Sequence, residues 1–147
     1  MRNSTRVVIA DYSRSESHWA SRGVVHKEEW IDCAYCGDRA TSKDHVLPVV
    51  YSNAHPDMPT ERRDLLFTVP ACRQCNSIAS GRVFDSLGEK RAYIHDELRR
   101  RNRKLLESQS WSDEDLKELG PSLRRRLLAQ RRRRERLVAR LAWGEDE

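Results

Sequence analysis

The chain has 147 residues, 37% of them hydrophobic and 35% charged, with a formal net charge of +5. That length suits one ordinary domain with a single modest core plus an appendage, and so low an apolar content calls for help beyond apolar burial, a bound metal being the obvious source. No run approaches the roughly 18 apolar residues needed to span a bilayer, so neither a transmembrane segment nor a membrane partner is expected.

Residues 1–22 open with a short strand-like run, Val7-Val8-Ile9, and continue as "DYSRSESHWASRG", which has no period. They read as a polar arm, ordered only where Trp19 or a partner fixes it. Met1 to Ala10 carries two arginines and does not resemble a signal peptide. "VVHKEEWIDCAYCG" leads into the first cysteine pair, with Trp30 and Ile31 as packing residues and Gly37 relieving the tight turn after Cys36. His18 and His26 read as ordinary surface histidines.

"RATSKDHVLPVVY" reads as a hairpin, its second strand running through Val49, Val50 and Tyr51, with Pro48 marking an edge or an early end. "SNAHPDMPTERRD" reads as a loop, and "LLFTVPAC" as a strand that delivers the chain into Cys72. A helix is expected from Arg73 to about Gly81. Beyond it, "SLGEKRAYIHDELRRRNRKLLE" places Leu87, Ala92 or Arg91, Tyr93, Ile94, Leu98 and Leu105 on one stripe of a basic helix. "WSDEDLKELG" has Ser112 as N-cap with Asp115 three residues on, and Gly120 as the stop. Pro121 suits the first turn of a last helix. That helix is expected to dock at both ends, through Leu123, Leu127 and Leu128 and through Leu137, Val138, Leu141 and Trp143, while Arg131 to Arg134 faces water or an anion.

The four cysteines form two C-x-x-C pairs, Cys33/Cys36 and Cys72/Cys75, separated by thirty-five residues. Two such turns can complete a tetrahedral zinc shell with Zn–S distances of ~2.3 Å. Two disulfides are the alternative, but without a signal peptide a reducing cytoplasm and a shared structural zinc are favoured.

Charge is uneven along the chain. Residues 1–88 hold eleven Lys/Arg and eleven Asp/Glu, whereas residues 99–140 hold fifteen against six. The basic footprint of Arg99, Arg100, Arg101, Arg103, Arg124, Arg125, Arg131, Arg132, Arg133 and Arg134 points to a polyanion, DNA or RNA, or to an acidic protein surface. A plain solvated helical face is the competing reading.

The order C-x-x-C-G, then Asp44-His45 in "DHVLP", then "PACRQCN" resembles the four-cysteine, zinc-containing branch of the HNH endonucleases over residues 31 to about 82. The basic C-terminal half looks like the helical tail of such proteins from phages and bacteria. The fold class implied is α+β: a small zinc-stapled ββα-metal core at residues 23–85, followed by a predominantly helical, Arg-rich extension at residues 86–147. The resemblance further implies a nuclease acting in the cytoplasm of a bacterial or phage-infected cell. His45 would be the general base, and Asp44 and Asn76 would hold a catalytic Mg(II) or Mn(II), whose hard character suits oxygen ligands. Two positions depart from the family pattern. Phe67 stands where an asparagine usually steadies the base, and Ala79 where a lysine or histidine often follows on the helix. Asp64 and Asn53 are neighbouring groups that would have to substitute, and His55 is a further loop histidine near the pair. The alternative is therefore an inactive zinc-stapled module that binds nucleic acid or an acidic protein.

Overall fold

The computed structural model describes residues 32–144, so the expected N-terminal arm with Val7-Val8-Ile9, Trp19, His18 and His26, and the segment with Trp30 and Ile31, lies outside the described residues. The chain is mixed helix and strand. Strand β1 (Ser42–His45) and strand β2 (Thr68–Ala71) form a two-stranded antiparallel sheet in which Ser42 faces Ala71, Lys43 faces Pro70, Asp44 faces Val69 and His45 faces Thr68. Pro70 has no N–H to give to a third strand, and its carbonyl instead accepts from Ala34 N at 2.9 Å. This ties the first cysteine turn to the sheet.

The hairpin expected over residues 39–51 is corrected. β1 pairs with β2, and the presumed second strand is helix α1 (Val49–Ala54). Val49, Val50 and Tyr51 favour strands by propensity, but Pro48 fixes the backbone just ahead of a helical turn, and Ser52 N closes that turn on Pro48 O at 3.1 Å. Short helix α2 (Thr60–Arg63) also interrupts the expected loop. Leu47, Met58 and Leu66 close this excursion over a small apolar cluster of its own.

Helix α3 (Arg73–Ala79) starts at the second cysteine pair, with Cys72 Sγ accepting from Cys75 N, and the chain leaves it through Gly81 at φ 76°. Helix α4 (Leu87–Arg101) is capped by Ser86, whose hydroxyl accepts from Glu89 N at 3.0 Å. The continuous helix expected here breaks at Asn102, so that Leu105 sits in the short helix α5 (Arg103–Leu106). Helix α6 (Asp113–Lys117) carries the expected capping box between Ser112 and Asp115, and helix α7 (Pro121–Leu141) begins with Pro121 as expected.

The main core gathers all four cysteines with Tyr35, Val46, Val69, Phe84, Ile94, Leu98, Leu137 and Leu141. Apolar packing therefore runs without a break from the sheet across residue 85 into α4 and α7. At the C-terminal end of α7, Leu137 and Leu141 dock as expected, whereas Val138, also expected to dock, is 52% exposed. At its other end Leu127 and Leu128 are only half-buried, and Leu123 is 45% exposed, so that end docks less closely than expected.

Candidate metal centre and adjoining cleft

The two cysteine turns meet because β2 carries Cys72 beside the loop that holds Cys33. Cys33 N donates to Asp38 O at 2.6 Å and Gly37 N to Cys33 O at 2.9 Å, and Gly37 at φ 68° lets that loop reverse. The four Sγ atoms all lie within 4.8 Å of one another, and Cys36 Sγ is 3.8 Å from Cys72 Sγ. A tetrahedron with ~2.3 Å metal–sulfur bonds has edges of about 3.8 Å. The donor set and spacing thus fit one ion such as zinc, and the cysteines are free rather than bridged. Hydrogen sharing with Cys33 draws the thiols of Cys36, to about 7, and of Cys72 below the ordinary cysteine range. The same sharing pushes Cys33, through Cys36 first, and Cys75, through Cys33 first, above it. Four crowded buried thiols cannot all ionise without a cation to offset them.

One cation is already at hand. Arg140, near the end of α7, places Nη2 3.9 Å from Cys75 Sγ and Nε 3.3 Å from Asp38 Oδ2. That Nε is buried and makes no hydrogen bond among the described residues. Arg136 grips the other oxygen of Asp38. The Trp143 ring covers Gly37 so closely that a Cβ there would collide with it. Sequence reading assigned none of these contacts, because Arg136 and Arg140 look like two more members of a basic helix.

Helix α4 clasps the same turn from the other side. Arg91 Nε donates to Ala34 O at 3.1 Å and His95 Nε2 to Tyr35 O at 2.6 Å. His95 reads from the sequence as a surface or phosphate-facing group; it is buried, and its ring fixes the turn's backbone. Tyr35 is fully buried and its hydroxyl donates to Asp44 Oδ2. Burial, then the neighbouring Asp44 charge, raises the Tyr35 phenol well above its ordinary value.

Beside this centre lies an open cleft of about 270 Å³ lined by Lys43, Asp44, His45, Asn76, Ser80 and Lys90 among others. Asp44, His45 and Asn76 thus line one cleft. Asp44 and His45 alternate on β1, the first buried and the second exposed. Asp44 differs in setting from an open metal ligand: Oδ2 takes both the Tyr35 hydroxyl and the Lys90 ammonium, the latter at 2.6 Å. Partial enclosure lowers His45 below its ordinary value; Asp44 opposes this, while Lys90 and Lys43 add to it. Asn76 donates Nδ2 to Ser42 Oγ and to Lys43 O, each at 3.2 Å, which pins the amide against β1. Phe67 accepts at its carbonyl from Val46 N at 3.1 Å, and its half-buried ring packs against the main core. Asn53 and Asp64 are exposed, and His55, at the C-cap of α1, stacks on Tyr51 at 4.2 Å.

The arginines divide into two groups. Arg124 binds the carbonyls of Leu116, Lys117 and Leu119, where it closes the end of α6, and Arg134 reaches Ser108 O. Arg131 pairs with Asp113 at 2.7 Å. Arg99, Arg100, Arg101 and Arg103 pair along the helix with Asp96, Glu97 and Glu107. Such exposed pairs are worth only ~0–1 kcal/mol each and exchange readily. Arg125, Arg126, Arg132 and Arg133 are exposed, and their spacing of seven puts them in two adjacent rows on α7. Of the stripe Leu137, Val138 and Leu141, the core takes Leu137 and Leu141, leaving Val138 at the surface.

Comparison with protein-family models, with curated proteins and with solved structures finds no match to this chain. Among the described residues no helix is long and apolar enough to cross a membrane.

Proposed function

We propose that this chain is a metal-dependent phosphodiester hydrolase of the HNH type acting on DNA, with the four cysteines as a structural zinc staple. The observation that supports this reading is the convergence of Asp44, His45 and Asn76 on one open cleft beside the cysteine cluster. His45 takes the proton from the attacking water. Its lowered pKa keeps the imidazole neutral and ready as a base near pH 7. Asn76 would hold a Mg(II) or Mn(II) ion through Oδ1, since Nδ2 is engaged by β1, and Asp44 would do so through the oxygen that Lys90 does not hold. When bound, that ion supplies positive charge at the scissile phosphate and at the leaving oxygen. Lys43, exposed on β1 at the rim of the cleft, adds to the attraction for a phosphate. Arg125, Arg132 and Arg133 would hold the backbone without reading sequence, and the paired Arg99, Arg100, Arg101, Arg103 and Arg131 can exchange their carboxylates for phosphates.

A second reading, a zinc-stapled module that binds nucleic acid or an acidic protein without cleaving it, is favoured by the Lys90 and Tyr35 contacts on Asp44 Oδ2. Supercoiled plasmid incubated with the protein and Mg(II) or Mn(II) separates the two. Hydrolysis predicts nicking that His45→Ala abolishes. Salt-sensitive retardation of the plasmid with no nicking in either metal would leave the binding module.

A further inference from the structure

We propose that Lys90 is the positioning residue for His45, holding it from α4. The proposal rests on the hydrolase reading for its catalytic consequence, but not for its structural one. Lys90 is 1% exposed, and its ammonium has three donors and three partners: Asp44 Oδ2 at 2.6 Å, His45 O at 2.9 Å and Val46 O at 3.2 Å. These are consecutive residues, and they lie where the β ladder ends, since β1 stops at His45. Beyond that point the backbone is held on one side by Val46 N to Phe67 O at 3.1 Å and Leu47 N to Leu65 O at 3.3 Å. Lys90 supplies the other side.

The root of the His45 side chain is thus fixed by an ammonium. Lys90 itself is anchored by its helix. Ser86 caps α4, with Lys90 N bonded to Ser86 O at 3.1 Å, and Arg91 and His95 tie the same helix to the first cysteine turn. The C-terminal half is in this way part of the site. An isolated charge left in this pocket would be costly, whereas removal of both charges is often tolerated.

The test therefore uses the pair Lys90→Met with Asp44→Asn, and Asp44→Asn alone as its control, each measured for bound zinc and for a cooperative thermal transition. Backbone order is read from the 15N heteronuclear NOE of the His45 and Val46 amides, and turnover from plasmid nicking. We expect the double variant to keep zinc and a cooperative transition, and Asp44→Asn, which leaves the buried Lys90 ammonium without its carboxylate, to keep zinc but melt at a lower temperature. The double variant loses order at His45 and Val46 relative to the control, and Lys90→Met alone, which keeps Asp44, drops kcat roughly 100-fold below the unaltered protein with little change in KM, the size of loss that misplacement of a catalytic group causes. Equal order at His45 and Val46 in the two variants would overturn the proposal. If the unaltered protein nicks nothing while the loss of order is seen, the hydrolase reading fails and the positioning role stands.

Discussion

Withdrawal of a metal ion held by the four-cysteine cluster would take away the point at which both halves of the chain meet. Cys33, Cys36, Cys72 and Cys75 are four of the sixteen buried members of the main core, and the remainder is drawn from a chain that is only 37% hydrophobic. A structural zinc contributes an apparent ~10–16 kcal/mol of binding energy near neutral pH, whereas an entire domain is stable by only ~5–15 kcal/mol. Loss of the ion is therefore expected to exceed the net stability, leaving four buried thiols crowded within 4.8 Å with only the Arg140 guanidinium beside them. Helices such as α4 and α7 are long enough to persist in part, but α3, α5 and α6 are not stable without packing. Purified protein should carry one zinc per chain. A strong chelator, or Cys75→Ser, should abolish the cooperative thermal transition seen by circular dichroism and release Trp143 from Gly37, which fluorescence reports. A metal-free chain that melts cooperatively within a few degrees of the loaded one would refute this reasoning, as would zinc well below one equivalent.

Arg140→Gln should weaken zinc binding by about 10-fold in chelator competition, with Arg140→Lys intermediate, because the guanidinium contacts both Cys75 Sγ and Asp38. Unchanged affinity in Arg140→Gln would remove it from the metal's surroundings. Gly37→Ala has to adopt φ 68° and collides with Trp143, so a loss on the order of 1–3 kcal/mol in denaturant unfolding is expected. Leu98→Ala, which opens a cavity at a fully buried site, should cost ~2–5 kcal/mol by the same measurement. Replacement of Arg125, Arg132 and Arg133 together by glutamine should lower the salt dependence of DNA retention, the slope of log affinity against log salt falling by about three. An unchanged slope would place the phosphate contacts elsewhere.

Features governed by neighbours in sequence were legible before the structure. The pairs Cys33/Cys36 and Cys72/Cys75 announce a metal site, Ser112 with Asp115 announces a helix start, and Pro121 announces the last helix; each depends on spacings of a few residues. The strand over Val49 to Tyr51 was a failure of propensity. Those residues suit a strand, but a strand needs a partner, and β1 takes β2 instead, across the whole excursion that contains α1 and α2.

The candidate site was legible in position and not in surroundings. Asp44, His45 and Asn76 line one cleft, yet nothing in the order of residues says that Asp44 is clasped by Tyr35 from the first cysteine turn and by Lys90 from α4. Lys90, Arg91, His95, Arg136 and Arg140 read as charges on basic helices, because a helical period marks a face and not what covers it. The sequence by itself determined the candidate metal ligands, the starts of α6 and α7 at Ser112 and Pro121, and the placement of positive charge, all matters of short-range geometry or composition. Only the tertiary structure decided which of those charges are buried partners of the metal turn and of Asp44 and which face water, because burial depends on contacts between residues forty or more positions apart.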